Sequence, residues 1–220
     1  MCGVIAISLQ GVKPKELRLV RDLFLQSMIR GKHATGVSYI KDNILHTIKE
    51  PISADKFFEK HNPFDCLDND FNLTLIGHTR YSTSNLNYNQ PIASDNISIV
   101  HNGVITQETS TEWNNDSELI LKSFMDNLHP LEEYPDASMA VCHMAAKHKY
   151  ISFFRNGLRP LYYSQLDKGV IVASTSDILK RVYISNTIHK TEMNQIYYVE
   201  DYKVKIGDKI PTNKQDLQNV

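Results

Sequence analysis

The chain has 220 residues, 22% of them charged, and a formal net charge of −1. That length suits one large domain or two small ones and is enough to bury a sizeable core. The near-even charge gives no basic surface for nucleic acid and no acidic tail of the disordered kind, and no run approaches the roughly 20 apolar residues that span a bilayer.

Residues 4–9 read as a short buried strand, an apolar run too short and too poor in preceding basic residues for a secretion signal. Pro14 opens a helix to about Arg30, with Leu17, Val20, Leu23, Phe24 and Met28 near helical spacing and Gly31 as its stop. Residues 36–40 and 44–48 form a hairpin turned at Lys41-Asp42-Asn43, and residues 55–60 a short helix. Residues 73–78 are a strand leading into Thr79-Arg80-Tyr81-Ser82-Thr83, followed by a polar loop rich in Asn and Ser. Residues 97–101 are a strand stopped by Asn102-Gly103, and residues 116–128 a second helix carrying Leu119, Ile120, Phe124 and Leu128. Strands over 137–146 and 150–155, a turn at Asn156-Gly157, a further pair over 161–164 and 170–173, and a helical turn over 176–180 follow. A hairpin over 196–200 and 203–206 closes the pattern, and residues 211–220 form a polar, loose tail. Two helices among many hairpin-like strands predict antiparallel sheets with helices packed outside.

Cys2 carries the most chemistry. Removal of Met1 would leave a residue bearing both a thiol and a free α-amine, a nucleophile and a base together. Their reference pKa values of about 8.5 and about 7.7–8.0 are close enough for proton exchange near neutral pH. A cysteine at position 2 can also be incidental, so the other motifs must decide. Cys66 and Cys142 read as inert, Cys142 within an apolar strand. Three cysteines without metal spacing suit a reducing, cytoplasmic protein, and nine histidines without an HExxH-type cluster give no metal site. No phosphate-cradling glycine loop is present, so neither ATP nor another cofactor is implied.

Seven segments stand in order behind Cys2-Gly3-Val4. They include Arg30-Gly31-Lys32-His33-Ala34-Thr35-Gly36, Gly77-His78-Thr79-Arg80-Tyr81-Ser82-Thr83, Gln90-Pro91, His101-Asn102-Gly103, Asp116-Ser117-Glu118, Gly157-Leu158-Arg159-Pro160-Leu161 and Ala173-Ser174. In this order they resemble the class II glutamine amidotransferases of the N-terminal nucleophile hydrolase superfamily, in particular the glutaminase domains of phosphoribosyl-pyrophosphate and sugar-phosphate amidotransferases. The resemblance covers residues 2 to about 175. It implies an α+β fold, a four-layer αββα sandwich, over residues 2–210. It also implies an enzyme that hydrolyses L-glutamine to glutamate and ammonia through a Cys2 thioester.

Under this resemblance the Asn102 side-chain amide and the Gly103 N–H would form the oxyanion hole, although Asn-Gly alone is an ordinary turn signal. Arg80 would clamp the substrate carboxylate, against the commoner fate of a surface ion pair. Asp116 would bind the substrate ammonium, or else cap the helix that follows it. Tyr81 flanks the clamp and Thr83 would hydrogen-bond the substrate or fix the loop. His78 and His101 read as structural, Arg159 and Pro160 as shaping a strand end, and the loop over 85–89 as a candidate lid. His33 departs from the usual Arg-Gly-x-Asp pattern. The family usually joins this domain to an ammonia acceptor, for which the chain has no room; a separate synthetase or transferase subunit is expected, with turnover rising when it docks. Two other readings stand beside this one: a hydrolase of another small amide, and a catalytically silent regulatory module.

Overall fold

A computed structural model describes residues 1–82, 88–106, 111–183 and 187–211. Strand β1 (Gly3–Leu9) is buried along its whole length. Helix α1 (Pro14–Ser27) follows, then the hairpin β2 (Ala34–Lys41) and β3 (Ile44–Glu50), helix α2 (Ala54–Lys60) and strand β4 (Leu73–Arg80). Strands β5 (Ile92–Ala93) and β6 (Ile97–Val104) lead to helices α3 (Glu118–Met125) and α4 (Pro130–Glu133). The hairpin β7 (Ser138–Ala145) and β8 (Tyr150–Arg155) comes next, then the hairpin β9 (Tyr162–Leu166) and β10 (Gly169–Ala173) in the other sheet. Helix α5 (Ser176–Val182) and strands β11 (Ile188–Lys190), β12 (Gln195–Glu200) and β13 (Lys203–Lys209) complete it.

The strands make two antiparallel sheets, ordered β11-β9-β10-β1-β4-β2-β3 and β13-β12-β8-β7-β6-β5. β1 lies mid-sheet between β10 and β4, with helices over one face and the second sheet over the other, so its sequence is apolar on both faces except at Ser8. Ile5, Ile7 and Leu9 join Leu23, Phe24, Phe57 and Ile178 in a core beneath the helices. Val4 and Ala6 face the other way, with Ile76, Val100, Cys142 and Phe153 between the sheets. Beyond the second sheet, Ile99, Val141 and Phe154 pack against Ile120, Leu121 and Leu131 of α3 and α4. Helix, sheet, sheet, helix is the four-layer α+β sandwich expected.

The departures from the sequence reading fall where distant packing overrides local signals. Helix α1 ends at Ser27, and residues 28–31 continue as turns. Gly31 is not a helix stop: a Cβ there would lie 2.1 Å from Arg80 C and 2.3 Å from Tyr81 N, so the glycine lets two backbones touch. β4 and β6 run further than the pattern implied, which puts Arg80, Asn102 and Gly103 on strands. The single helix read over 116–128 is α3 alone, with the separate α4 after it.

Candidate active site

Strand register brings the motifs toward the start of β1. Gly3 pairs with Thr79 and Ala34 with Arg80, while Asn102 and Gly103 pair with Ala140 and Met139 in the opposite sheet. Ser174 Oγ accepts from Val4 N at 2.8 Å and so anchors the chain just behind Cys2. Met1 is exposed, at 66%.

Cys2 is held by groups from three elements. Its backbone N–H donates to Asn102 Oδ1 at 3.0 Å, a bond that crosses from one sheet to the other. Arg30 Nε donates to its carbonyl at 3.3 Å, and its Sγ lies 3.9 Å from Tyr81 O. Asn102 Nδ2 is buried with no hydrogen-bond partner among the described residues. An amide donor in that state costs about 1–3 kcal/mol. Gly103 follows with φ +153°. A Cβ there would lie 1.9 Å from Ser138 O and 2.8 Å from His101 Nε2, so no side chain fits. Asn102-Gly103 is therefore a paired strand segment and not a turn.

Arg80 is buried at the end of β4, and its Nη1 donates to Tyr88 O at 2.8 Å and Asn89 Oδ1 at 2.7 Å. Lys49 Nζ fixes that segment by donating to Asn89 O and Pro91 O at 2.9 and 3.0 Å. Gln90 completes the brace. Its Oε1 accepts from His101 N at 2.6 Å and its Nε2 donates to His101 O at 3.1 Å, the way a neighbouring strand would. Sequence reasoning matched Gln90 to a motif but missed this role, which no local pattern signals.

Asp116 Oδ2 accepts from Ile105 N at 2.7 Å, two residues beyond Gly103. It does not cap α3: Ser117 holds the cap position, and Ser117 Oγ instead bonds His101 Nδ1 at 2.8 Å. Tyr81 is 53% exposed and tilts against His33, ring centroids 5.1 Å apart. His33 Nδ1 accepts from Ser82 N at 2.8 Å, a bond that an Asp carboxylate at this position could also accept. Thr83 and residues 85–87 of the candidate lid lie outside the described residues.

His78 and His101 are buried and held neutral, both pushed down to about 3 by burial first. Arg80 adds to the effect on His78, and His78 and then Arg159 to that on His101. Neither can serve as a general base near pH 7. Cys66 is buried and its thiol is pushed up to about 12 by burial; Cys142 is raised further by the same cause. Both are unreactive beside the half-buried Cys2. Among the described residues no group of three or more His, Cys, Asp or Glu could hold a metal ion, and no helix is long and apolar enough to cross a membrane.

No family model matches the chain, and no curated protein matches it significantly. Solved structures do. The glutamine phosphoribosylpyrophosphate amidotransferase of B. subtilis, complexed with ADP and GMP, superposes with TM-score 0.71 at 19% identity over 94% of this chain and 49% of its own. A structure described as the allosteric regulatory enzyme of purine biosynthesis gives 0.70 at 18% identity, over 94% of this chain and 48% of its own. A glutamine aminotransferase class-II domain protein from Silicibacter pomeroyi gives 0.58 at 11% identity over 96% of this chain and 100% of its own. The chain spans about half the length of the first two. At these identities the likeness establishes the fold, which is that of the class II glutamine domains.

Proposed function

We propose that residues 2–210 form a class II glutamine amidotransferase domain, active after removal of Met1, that hydrolyses L-glutamine to glutamate and ammonia. The observation that carries the reading is the Asn102 amide: one end receives the Cys2 N–H and the other is a buried donor without a partner among the described residues. In the proposed reaction the Cys2 thiol passes its proton to its own α-amine, and the thiolate adds to the side-chain amide carbon of glutamine. Asn102 Nδ2 and the Gly103 N–H hold the oxyanion, a contribution of about 10²–10³ in turnover for each donor. Collapse breaks the C–N bond, and the α-ammonium returns the proton to the departing ammonia. Water then cleaves the thioester to glutamate.

In this reading Arg80 receives the substrate carboxylate, and its fixation by Tyr88 and Asn89 supports a preset clamp. Asp116, tied to the strand of the oxyanion hole, receives the ammonium. Tyr81 and Thr83 border the substrate. The ammonia passes to a separate synthetase or transferase, in a reducing, cytoplasmic setting that the three free thiols support. The polar segment from residue 211 is proposed as a tail outside the domain; residues 212–220 lie beyond the described residues.

The test is covalent labelling of protein lacking Met1 by 6-diazo-5-oxo-norleucine, a glutamine-mimicking electrophile. Stoichiometric labelling at Cys2, slowed by L-glutamine and not by D-glutamine, is expected. Equal labelling with both enantiomers present would contradict a site that grips the amino-acid end.

A further inference from the structure

Residues 89–91 are tied to both sheets at once. On the first sheet, Gly36 of β2 and Lys49 of β3 are register partners. A Cβ on Gly36 would lie 2.2 Å from Gln90 O and 2.7 Å from Pro91 Cδ, so the segment rests directly on the glycine. From the neighbouring strand, Lys49 Nζ donates to Asn89 O at 2.9 Å and to Pro91 O at 3.0 Å, one carbonyl on each side of Gln90. On the second sheet, the buried Gln90 side chain holds both main-chain groups of His101, at 2.6 and 3.1 Å. Gln90 Nε2 also donates to Ser117 Oγ at 3.4 Å, and that hydroxyl bonds His101 Nδ1 at 2.8 Å. His101 stands immediately before Asn102 on β6.

The same segment holds Arg80, whose Nη1 donates to Asn89 Oδ1 at 2.7 Å and Tyr88 O at 2.8 Å. Arg80 and Asn102 belong to different sheets, and residues 89–91 connect them. Asn89 touches the arginine, Gln90 touches the oxyanion strand, and Lys49 grips the main chain between. An exposed lysine on an edge strand ordinarily keeps its ammonium in water. Lys49 is exposed on the edge strand β3, yet its ammonium bonds two main-chain carbonyls and makes no ion pair among the described residues. Bonds from an ionised donor are about twice as strong as neutral ones. A substrate held by its carboxylate on one sheet and by its reacting carbonyl on the other must match the separation of the two grips.

We propose that Lys49 is a positioning residue that sets substrate chain length: by fixing residues 89–91 it holds Arg80 and the oxyanion strand at the spacing of glutamine and not of its homologue one methylene shorter. The inference rests on Arg80 as the clamp and Asn102 as the oxyanion donor of the reading above.

The experiment compares three reagents on Cys2, in protein whose loss of Met1 is verified by intact mass. They are 6-diazo-5-oxo-L-norleucine, its analogue one methylene shorter, 5-diazo-4-oxo-L-norvaline, and iodoacetamide, which has no amino-acid end. Peptide mass distinguishes Cys2 from Cys66 and Cys142. The parent is expected to prefer the longer diazo reagent by about 10-fold or more, the worth of one methylene. In Lys49→Met the longer reagent should slow about tenfold, short of the roughly hundredfold that a 1 Å misplacement can cost, and the shorter by less than about threefold. The iodoacetamide rate should stay within about twofold of the parent, because that reagent uses neither grip. An unchanged ratio of the two diazo rates, whether both hold or both fall, would overturn the inference. So would a parallel fall in the iodoacetamide rate, which marks a general distortion around Cys2. Should Lys49→Met fail to fold by circular dichroism, Lys49→Ala takes its place with the same outcomes. Glutamine-protected labelling of the parent with an unchanged ratio in the variant removes this inference alone. A parent that reacts with iodoacetamide but with neither diazo reagent removes the glutaminase assignment, and this inference with it.

Discussion

Replacing Asn102 by Ala should separate activity from stability, and the structure sets the size of each. The substitution deletes a buried Nδ2 that has no partner among the described residues and an Oδ1 that accepts from Cys2 N at 3.0 Å. Losing one oxyanion donor costs about 2.7–4 kcal/mol in the transition state, or about 10²–10³ in kcat. In the resting protein two changes oppose each other. The lost bond to Cys2 is worth about 0.5–1.5 kcal/mol, and relief of the unsatisfied donor returns about 1–3 kcal/mol. Unfolding free energy should therefore stay within about 1 kcal/mol of the parent, or rise, while turnover falls at least a hundredfold. Asn102→Asp keeps an acceptor for Cys2 N but has no amide donor, and should lose turnover to a similar degree. The assays are steady-state glutamate release and urea unfolding on the same preparations. Turnover of Asn102→Ala within about fivefold of the parent, or a parallel loss of more than about 2 kcal/mol of stability, would refute the reasoning.

Two further outcomes follow from the same geometry. His33→Asp should keep KM for glutamine within a few-fold, because a carboxylate can accept the Ser82 N–H that His33 Nδ1 accepts now. His33→Ala should raise KM about fivefold, the equivalent of about 1 kcal/mol; an Asp variant worse than the Ala variant would contradict this. Acid should destabilise the fold well above the carboxylate range. His78, His101 and His143 have folded pKa values lowered to about 3 by burial, below the unfolded value near 6.5. The stability of keeping them neutral is fully present above about pH 6.5 and is lost as pH falls toward 3, because the unfolded chain binds the protons. Three such groups give a slope approaching roughly 4 kcal/mol per pH unit. Urea midpoints at pH 7.0, 5.5 and 4.5 should fall steadily, and a flat profile over that range would contradict the burial argument.

The elements that could be read from sequence are those whose signals are local. The run from Val4 to Leu9 announces a strand buried on both faces, and the apolar spacing of Leu17, Val20, Leu23 and Phe24 announces the covered side of α1. The site was legible as a set of motifs and not as a set of shapes. Asn102-Gly103 has the composition of a turn, and only pairing with Ala140 and Met139 makes it a strand. Gly31 looks like a helix stop because its real partner, the backbone of Arg80 and Tyr81, is some fifty residues away in the chain. Asp116 has the look of a helix cap, yet its carboxylate serves Ile105. The bracing of Arg80 by Tyr88 and Asn89, and of His101 by Gln90, uses side chains whose identity carries no periodic signal. α4 is four residues long, too short to register as a pattern.

The most direct test of the central claim is glutamate release from L-glutamine by untagged protein, with intact mass read on the same sample. The account predicts release by the species lacking Met1, none from a form that retains Met1 or carries an N-terminal tag, and none from Cys2→Ala. Release that persists in Cys2→Ala, or in protein that retains Met1, would contradict it.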